Sequence, residues 1–216
     1  MITMALLNDE IVNNVREMLA DLANPVKLAV FTDDQHCEYC PQIVQLLEEV
    51  AATSGSVSVE KYEIHSDSAK AKELKVEKAP VIAILGEKDF GLRFYGIPSG
   101  YEFSTLLHGI QRAASGKSEL DDQTKYYLAG INSPVDLQVF VTPTCPYCPR
   151  AAVLAIDMAI ENNHVTADVV EASEFPDLAN KFNVMGVPLN VINSKERVEG
   201  AAPPHMIVDA IRKVLA

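Results

Sequence analysis

Apolar positions along the chain switch between a helical and a strand period, and they do so in the same order twice. Behind Asn8 or Asp9, both suited to cap a helix, Ile11, Val12, Val15, Met18, Leu19 and Leu22 recur at helical spacing until Asn24-Pro25 stops the run. Residues 26–32 are apolar up to Phe31 except for Lys27, as in a strand covered on both faces. A second helical stripe, Ile43, Leu46, Leu47 and Val50, ends at Ser54-Gly55. Residues 57–64 alternate like a half-exposed strand, and 66–74 read as a short polar helix started by Ser66 or Asp67. A buried strand at 81–85, a turn at 86–89 and a returning strand at 90–95 make a hairpin, and a helix over 99–114 closes the first half.

The second half predicts a helix near 120–128, a strand at 136–142 and a helix over 151–161. A strand at 165–171, a short helix at 176–182, a hairpin of 189–193 with 197–199, and a last helix from Pro203 or Pro204 to Leu215 follow. Between the halves, Ser115-Gly116-Lys117-Ser118 is small, polar and flexible in composition, which makes it the expected linker. The expected units are 1–117 and 118–216. Each predicts an α/β layer arrangement around a mixed sheet.

The repeat is sharpest where chemistry is expected. Cys37-Glu38-Tyr39-Cys40 and Cys145-Pro146-Tyr147-Cys148 each follow an apolar strand and open a helix, and the chain has no other cysteine. Pro80 lies 43 positions after Cys37 and Pro188 lies 43 after Cys145, so the frame recurs at an offset of 108. Two cysteines separated by two residues can close a disulfide across a first helical turn. A thiol placed there feels the positive end of the helix dipole, which favours its thiolate. Cys145 is therefore expected to lead its helix at an exposed tip, with Cys148 beneath it. Pro146 preorganises the turn. Pro149 removes the N–H that would have bonded the Cys145 carbonyl, which needs another partner.

Composition narrows the setting. A length of 216 residues with 48% apolar content suits about two domains. No apolar run approaches the roughly 18 residues of a membrane span. Residues 1–10 carry Asp9 and Glu10 and no basic region, so no export signal is expected and a cytoplasmic location is. The net charge is −12 without a basic stripe, which argues against nucleic acid and anionic membranes as partners. In a reducing cytosol, paired Cys-x-x-Cys motifs indicate redox chemistry or metal more often than a structural staple. The metal alternative is a single zinc site shared by the four cysteines in a binding module, and no metal site is expected here. Asp33, Asp34 and Glu38 flank Cys37 and oppose its ionisation, while His36, if protonated, favours it. Cys145, with no charged neighbour before Arg150, is the expected faster nucleophile. His65, His108, His164 and His205 show no clustering with cysteine or acid.

The order of elements, with a dithiol after the first central strand and a proline before the third, resembles the thioredoxin superfamily over nearly the whole chain, twice. Two intact motifs, the second reading Cys-Pro-Tyr-Cys, and the segment 88–100 (Lys-Asp-Phe-Gly-Leu-Arg-Phe-Tyr-Gly-Ile-Pro-Ser-Gly) resemble the glutaredoxin-like protein disulfide oxidoreductases. That resemblance implies two tandem thioredoxin-fold units and thiol–disulfide exchange with protein disulfides at Cys145/Cys148 and Cys37/Cys40. It implies cis bonds before Pro80 and Pro188, with Ala79 and Val187 pairing to substrate backbone and Tyr39 and Tyr147 lining the substrate surface. No bound cofactor is implied, because the cysteines carry the electrons. Flavin and NADPH enter through a thioredoxin-reductase-type flavoprotein partner. A related alternative is an electron relay to a peroxiredoxin, although the tandem module of the reductase that serves peroxiredoxins has lost the cysteines of one half. Gly186-Val187-Pro188 and Gly200-Ala201-Ala202-Pro203 depart from the glutaredoxin pattern, which implies no specific glutathione site.

Overall fold

A computed structural model describes residues 5–216; residues 1–4, the start of the stretch read for an export signal, lie outside it. The first half runs α1 (Asp9–Met18), β1 (Val26–Thr32), α2 (Cys40–Ala51), β2 (Val57–Glu63), α3 (Ser68–Glu73), β3 (Val81–Leu85), β4 (Asp89–Tyr95) and α4 (Glu102–Ser115). The second runs α5 (Asp122–Ala129), β5 (Val135–Val141), α6 (Cys148–Glu161), β6 (Val165–Glu171), α7 (Pro176–Lys181), β7 (Leu189–Ile192), β8 (Glu196–Glu199) and α8 (Pro204–Leu215). Asn8 caps α1 with its side-chain oxygen on the Ile11 N–H, as its position before the apolar stripe predicts.

Each half is a mixed sheet in which the first strand is central, parallel to the second and antiparallel to the third. The two sheets are not separate. β4 pairs in parallel with β6, giving one 8-stranded sheet in the order β2-β1-β3-β4-β6-β5-β7-β8. Strand alternation then divides the core by face. Val26, Leu28, Val30, Val135, Leu137 and Val139 point to the side covered by α1, α2, α4, α5, α6 and α8. Ala29, Phe31, Val81, Phe140 and Val191 point to the side covered by α3 and α7.

The family-like segment at 88–100 builds the joint. Gly96, at φ +95°, lies where a Cβ would collide with Glu171 and Glu174 of the second half. Gly100, at φ +58°, lies against the Pro143 carbonyl, and that carbonyl accepts the Tyr101 N–H at 2.9 Å. The Ile97 N–H donates to Glu174 Oε1 at 2.6 Å. Helix α4 packs across α6, where Arg112 Nε meets Asp157 Oδ1 at 2.6 Å between two nearly buried side chains. The 115–118 stretch is not the flexible linker its composition suggests. Gly116 ends α4 in the left-handed region, and nearly buried Ser118 bonds Glu161 of α6.

Candidate active site: two dithiols at one end of the sheet

Both cysteine pairs sit where a central parallel strand gives way to a helix. Cys37 lies in the loop after β1 and Cys40 is the first residue of α2; Cys145 and Cys148 hold the same places after β5 and in α6. Each pair is a disulfide, with Cα–Cα distances of 5.4 and 5.5 Å, inside the usual range for such bonds. Each helix therefore starts at the second cysteine, not the first as the motif alone suggests. The Cys145 N–H bonds the Thr142 carbonyl at 3.2 Å, and the Cys148 N–H reaches the Cys145 carbonyl at 3.4 Å, so Cys145 belongs to the turn ahead of the helix. This also disposes of the difficulty with Pro149. Its ring falls in the first helical turn, where no N–H is required, and the Cys145 carbonyl finds its donor in Cys148.

The second cysteine of each pair is the more deeply placed. Cys148 is 0% and Cys40 6% exposed. Cys37 is half-buried, but Cys145 is only 8% exposed, so it is not the open tip expected. The reason is the loop before Pro188, which brings the Val187 carbonyl oxygen to 3.8 Å from Cys145 Sγ. Both Ala79-Pro80 and Val187-Pro188 are cis. Around Cys145 the surface is open and apolar, with Tyr147 at 70% and Met185 at 87% exposure. Around Cys37 it is a groove of about 810 Å³ that reaches from His36 and Ala79 to Phe175 and Pro176 of the second half. Tyr39 stands exposed between the cysteines of that pair.

The charges at the Cys37 site are more organised than the sequence suggests. Asp33 accepts the backbone N–H groups of Gln35 and His36, which hold its carboxyl below the usual range. His65 Nε2 lies 3.5 Å and His36 Nδ1 3.8 Å from Asp33 Oδ2, so His65 is not the isolated residue the sequence implied. Asp33, Glu63 and His65 bring ligand atoms within 4.8 Å of one another. The two carboxylates already accept backbone N–H groups of the turns that follow their strands, a capping role. A single zinc site built from all four cysteines is not possible in this fold. β1 and β5 are four strand spacings apart, ~19 Å, whereas zinc needs its sulfurs about 2.3 Å from one point.

One acid near the second dithiol escaped the sequence reading. Glu102 opens α4 beside the Tyr101–Pro143 contact, at the end of α4 nearest the Cys145 turn. It is 0% exposed. Oε2 accepts from Thr105 Oγ1 at 2.8 Å, and Oε1 accepts no hydrogen bond. Burial pushes its carboxyl up from 4.5 to about 7. In the sequence it looks like an ordinary first-turn acid, which the helix dipole favours.

Each half thus has the architecture of a thioredoxin fold, and the chain is a tandem of two. It belongs to the thioredoxin-domain family, whose model matches residues 26–108 and again 135–215. The structure is similar to a protein disulfide oxidoreductase from Aeropyrum pernix K1, at 33% identity and TM-score 0.88, over 96% of this chain and 93% of that one. It is also similar to the NTD_N/C domain of alkylhydroperoxide reductase AhpF from Enterococcus faecalis, at 25% identity and TM-score 0.87, over 95% of this chain and 99% of that one. Among curated proteins, the F subunit of alkyl hydroperoxide reductase from Staphylococcus epidermidis is 25% identical over 199 residues, which are 88% of this chain and 35% of that protein. The chain spans about a third of the length of the curated relatives it matches first.

Proposed function

We propose that the protein is a thiol–disulfide oxidoreductase acting on protein disulfides, with Cys145/Cys148 as the principal dithiol and Cys37/Cys40 as a second. The observation that carries this reading is that both Cys-x-x-Cys pairs close disulfides where a central strand gives way to a helix, with Cys145 beside the Val187 carbonyl and the exposed Tyr147. Reduced Cys145, as thiolate, attacks one sulfur of a substrate disulfide; that S–S bond breaks, a substrate thiolate leaves, and a mixed disulfide forms. Cys148 then attacks Cys145 Sγ, releases the second substrate thiolate and closes the Cys145–Cys148 disulfide. Substrate gains two electrons and the protein loses two. The protons shed by the two thiols are taken up by the departing thiolates. We assign the uptake and return of the Cys148 proton to Glu102, whose buried carboxyl, raised to about 7, lies at the end of α4 nearest the Cys145 turn.

We assign to the backbone at Val187 and Ala79, before Pro188 and Pro80, the pairing with an extended substrate segment, and to Tyr147 and Tyr39 its flanks. We place the boundary between the units at 117/118. The cysteines carry the electrons, so the chain needs no bound cofactor of its own. Its own reductant is assigned to a thioredoxin-reductase-type flavoprotein that draws on NADPH, in a reducing compartment such as the cytoplasm. Similarity to the F subunit of alkyl hydroperoxide reductase supports a second reading, relay of electrons from such a reductase to a peroxiredoxin. Among the described residues no helix is long and apolar enough to cross a membrane.

Catalysed reduction of insulin disulfides by the four single Cys→Ser variants tests the proposal. Cys145→Ser and Cys148→Ser should lose most of the turnover, and Cys37→Ser and Cys40→Ser a smaller share. Full activity in Cys145→Ser would refute the assignment.

A further inference from the structure

The turns that follow β1 and β2 bring four metal-ligating side chains together beside the first dithiol. Asp33 and His36 lie between β1 and Cys37; Glu63 is the last residue of β2, and His65 lies in the turn after it. His65 Nε2 stands 3.5 Å and His36 Nδ1 3.8 Å from the same oxygen, Asp33 Oδ2. One ligand atom from each of Asp33, Glu63 and His65 lies within 4.8 Å of the other two. The imidazole–carboxylate separations exceed the length of an N–H···O bond, about 2.7–3.2 Å. They approach the spacing of ligands on a tetrahedral metal: at bond lengths of ~2.0–2.2 Å to zinc, neighbouring donors stand ~3.3–3.6 Å apart.

Backbone hydrogen bonds fix both carboxylates. Asp33 accepts the Gln35 and His36 N–H groups at 2.8 and 3.1 Å on Oδ1, which leaves Oδ2 to face the imidazoles. Glu63 accepts the His65 and Ser66 N–H groups at 2.9 and 2.6 Å on Oε2. Supporting bonds of this kind orient ligating carboxylates. Lys72, Lys75 and Lys78 line the same groove, but no lysine or arginine pairs with Asp33 or Glu63 among the described residues. The second half serves as a control. Glu171 ends β6 as Glu63 ends β2, and its Oε2 accepts the N–H three residues on, that of Glu174, at 2.8 Å. There Thr142-Pro143-Thr144 precedes Cys145 where Asp33-Asp34-Gln35-His36 precedes Cys37, and Ser173 stands at the place of His65. The capping glutamate is common to both halves, so the turn does not require Asp33 and the two imidazoles.

We infer that His36, His65, Asp33 and Glu63 form a binding site for a divalent transition-metal ion of the zinc type. Two imidazoles with carboxylates suit zinc, whereas magnesium and calcium take oxygen ligands. Both imidazoles are exposed, which gives the ion a path from solvent. Asp33, His36 and His65 also line the groove beside Cys37, so a bound ion would crowd a substrate at that dithiol. That consequence rests on the oxidoreductase reading; the site itself does not.

The test is a calorimetric titration of the oxidised full chain with zinc chloride, with the imidazole NMR signals followed in parallel. Oxidation keeps the cysteines out of the experiment, because it is the thiolate that ligates metal. One zinc per chain is expected, with the His36 and His65 signals shifted and those of His108, His164 and His205 unchanged. Magnesium chloride at the same concentration should do neither. His36→Gln and His65→Gln should each weaken zinc binding by about tenfold or more, at least the cost of losing a supporting residue. Asp33→Asn, which keeps Oδ1 as the acceptor of the turn, should weaken it likewise. Absence of saturable binding, shifts spread over all five histidines, an equal response to magnesium, or unaltered affinity in either histidine variant would overturn the assignment. None of these results bears on the insulin assay, which tests the dithiols alone.

Discussion

Replacing Glu102 by Gln isolates the free energy of one buried proton. In the native chain the carboxyl is fully buried, has Thr105 Oγ1 as its one hydrogen-bond partner and faces no cation among the described residues. Burial lifts it from 4.5 to about 7. At one pKa unit per ~1.4 kcal/mol, this difference corresponds to ~3 kcal/mol. The sign follows from proton counting. Below pH 4.5 both folded and unfolded chains hold the proton, and the full stability is present. Between 4.5 and about 7 the folded chain alone holds it, so stability falls as pH rises; above 7 the loss is complete. Glutamine has nearly the same shape and no charge at any pH. Glu102→Gln should therefore match the parent near pH 4 and exceed it by ~3 kcal/mol at pH 8. Urea unfolding of the oxidised proteins across this range measures the difference directly. The other raised carboxyls are common to both proteins and cancel. A difference that does not change with pH would refute the argument that Glu102 is held neutral by burial. The same variant should slow resolution of a mixed disulfide at Cys148, with its pH profile flattened around 7.

Three further outcomes are expected. Arg93→Met should destabilise the fold by ~3 kcal/mol or more, because it strands the Leu74 carbonyl and Asp89 where the guanidinium now bonds both; urea unfolding checks this. Gly100→Ala should cost ~2 kcal/mol, since a left-handed residue would press its Cβ on the Pro143 carbonyl; an unchanged melting temperature would show that the joint yields easily. Glu38→Gln should speed alkylation of reduced Cys37 by a few-fold at low salt and leave Cys145 unaffected. Equal rates in variant and parent, measured by mass spectrometry, would show that Glu38 does not oppose the Cys37 thiolate.

What the sequence revealed follows from its periods. The strands at 26–32 and 165–171 and the stripes of α2 and α8 were legible because apolar spacing marks them directly. The repeated Cys-x-x-Cys and proline frame placed both dithiols after the first strand of each half and both prolines just ahead of the third. The union of the two sheets was not legible, because a parallel pair between β4 and β6 leaves no local turn signal, only a strand that reads as a hairpin partner. The same union hid the role of Gly96 and Gly100, which meet residues 75 and 43 positions away. Glu102 was invisible for a related reason: its neighbours along α4 look like any amphipathic helix, and its burial depends on tertiary packing that the local pattern does not show. The exposure of Cys145 was misjudged because the covering carbonyl, that of Val187, lies 42 residues downstream.

The most direct measurement is to react Cys148→Ser, reduced at Cys37/Cys40 and Cys145, with a disulfide-bonded protein substrate and map the product by mass spectrometry. A stable mixed disulfide at Cys145, absent with the Cys145→Ser variant at that site, is the result expected if Cys145 attacks and Cys148 resolves. A substrate adduct confined to Cys37 or Cys40, with Cys145 left as a free thiol, would contradict it.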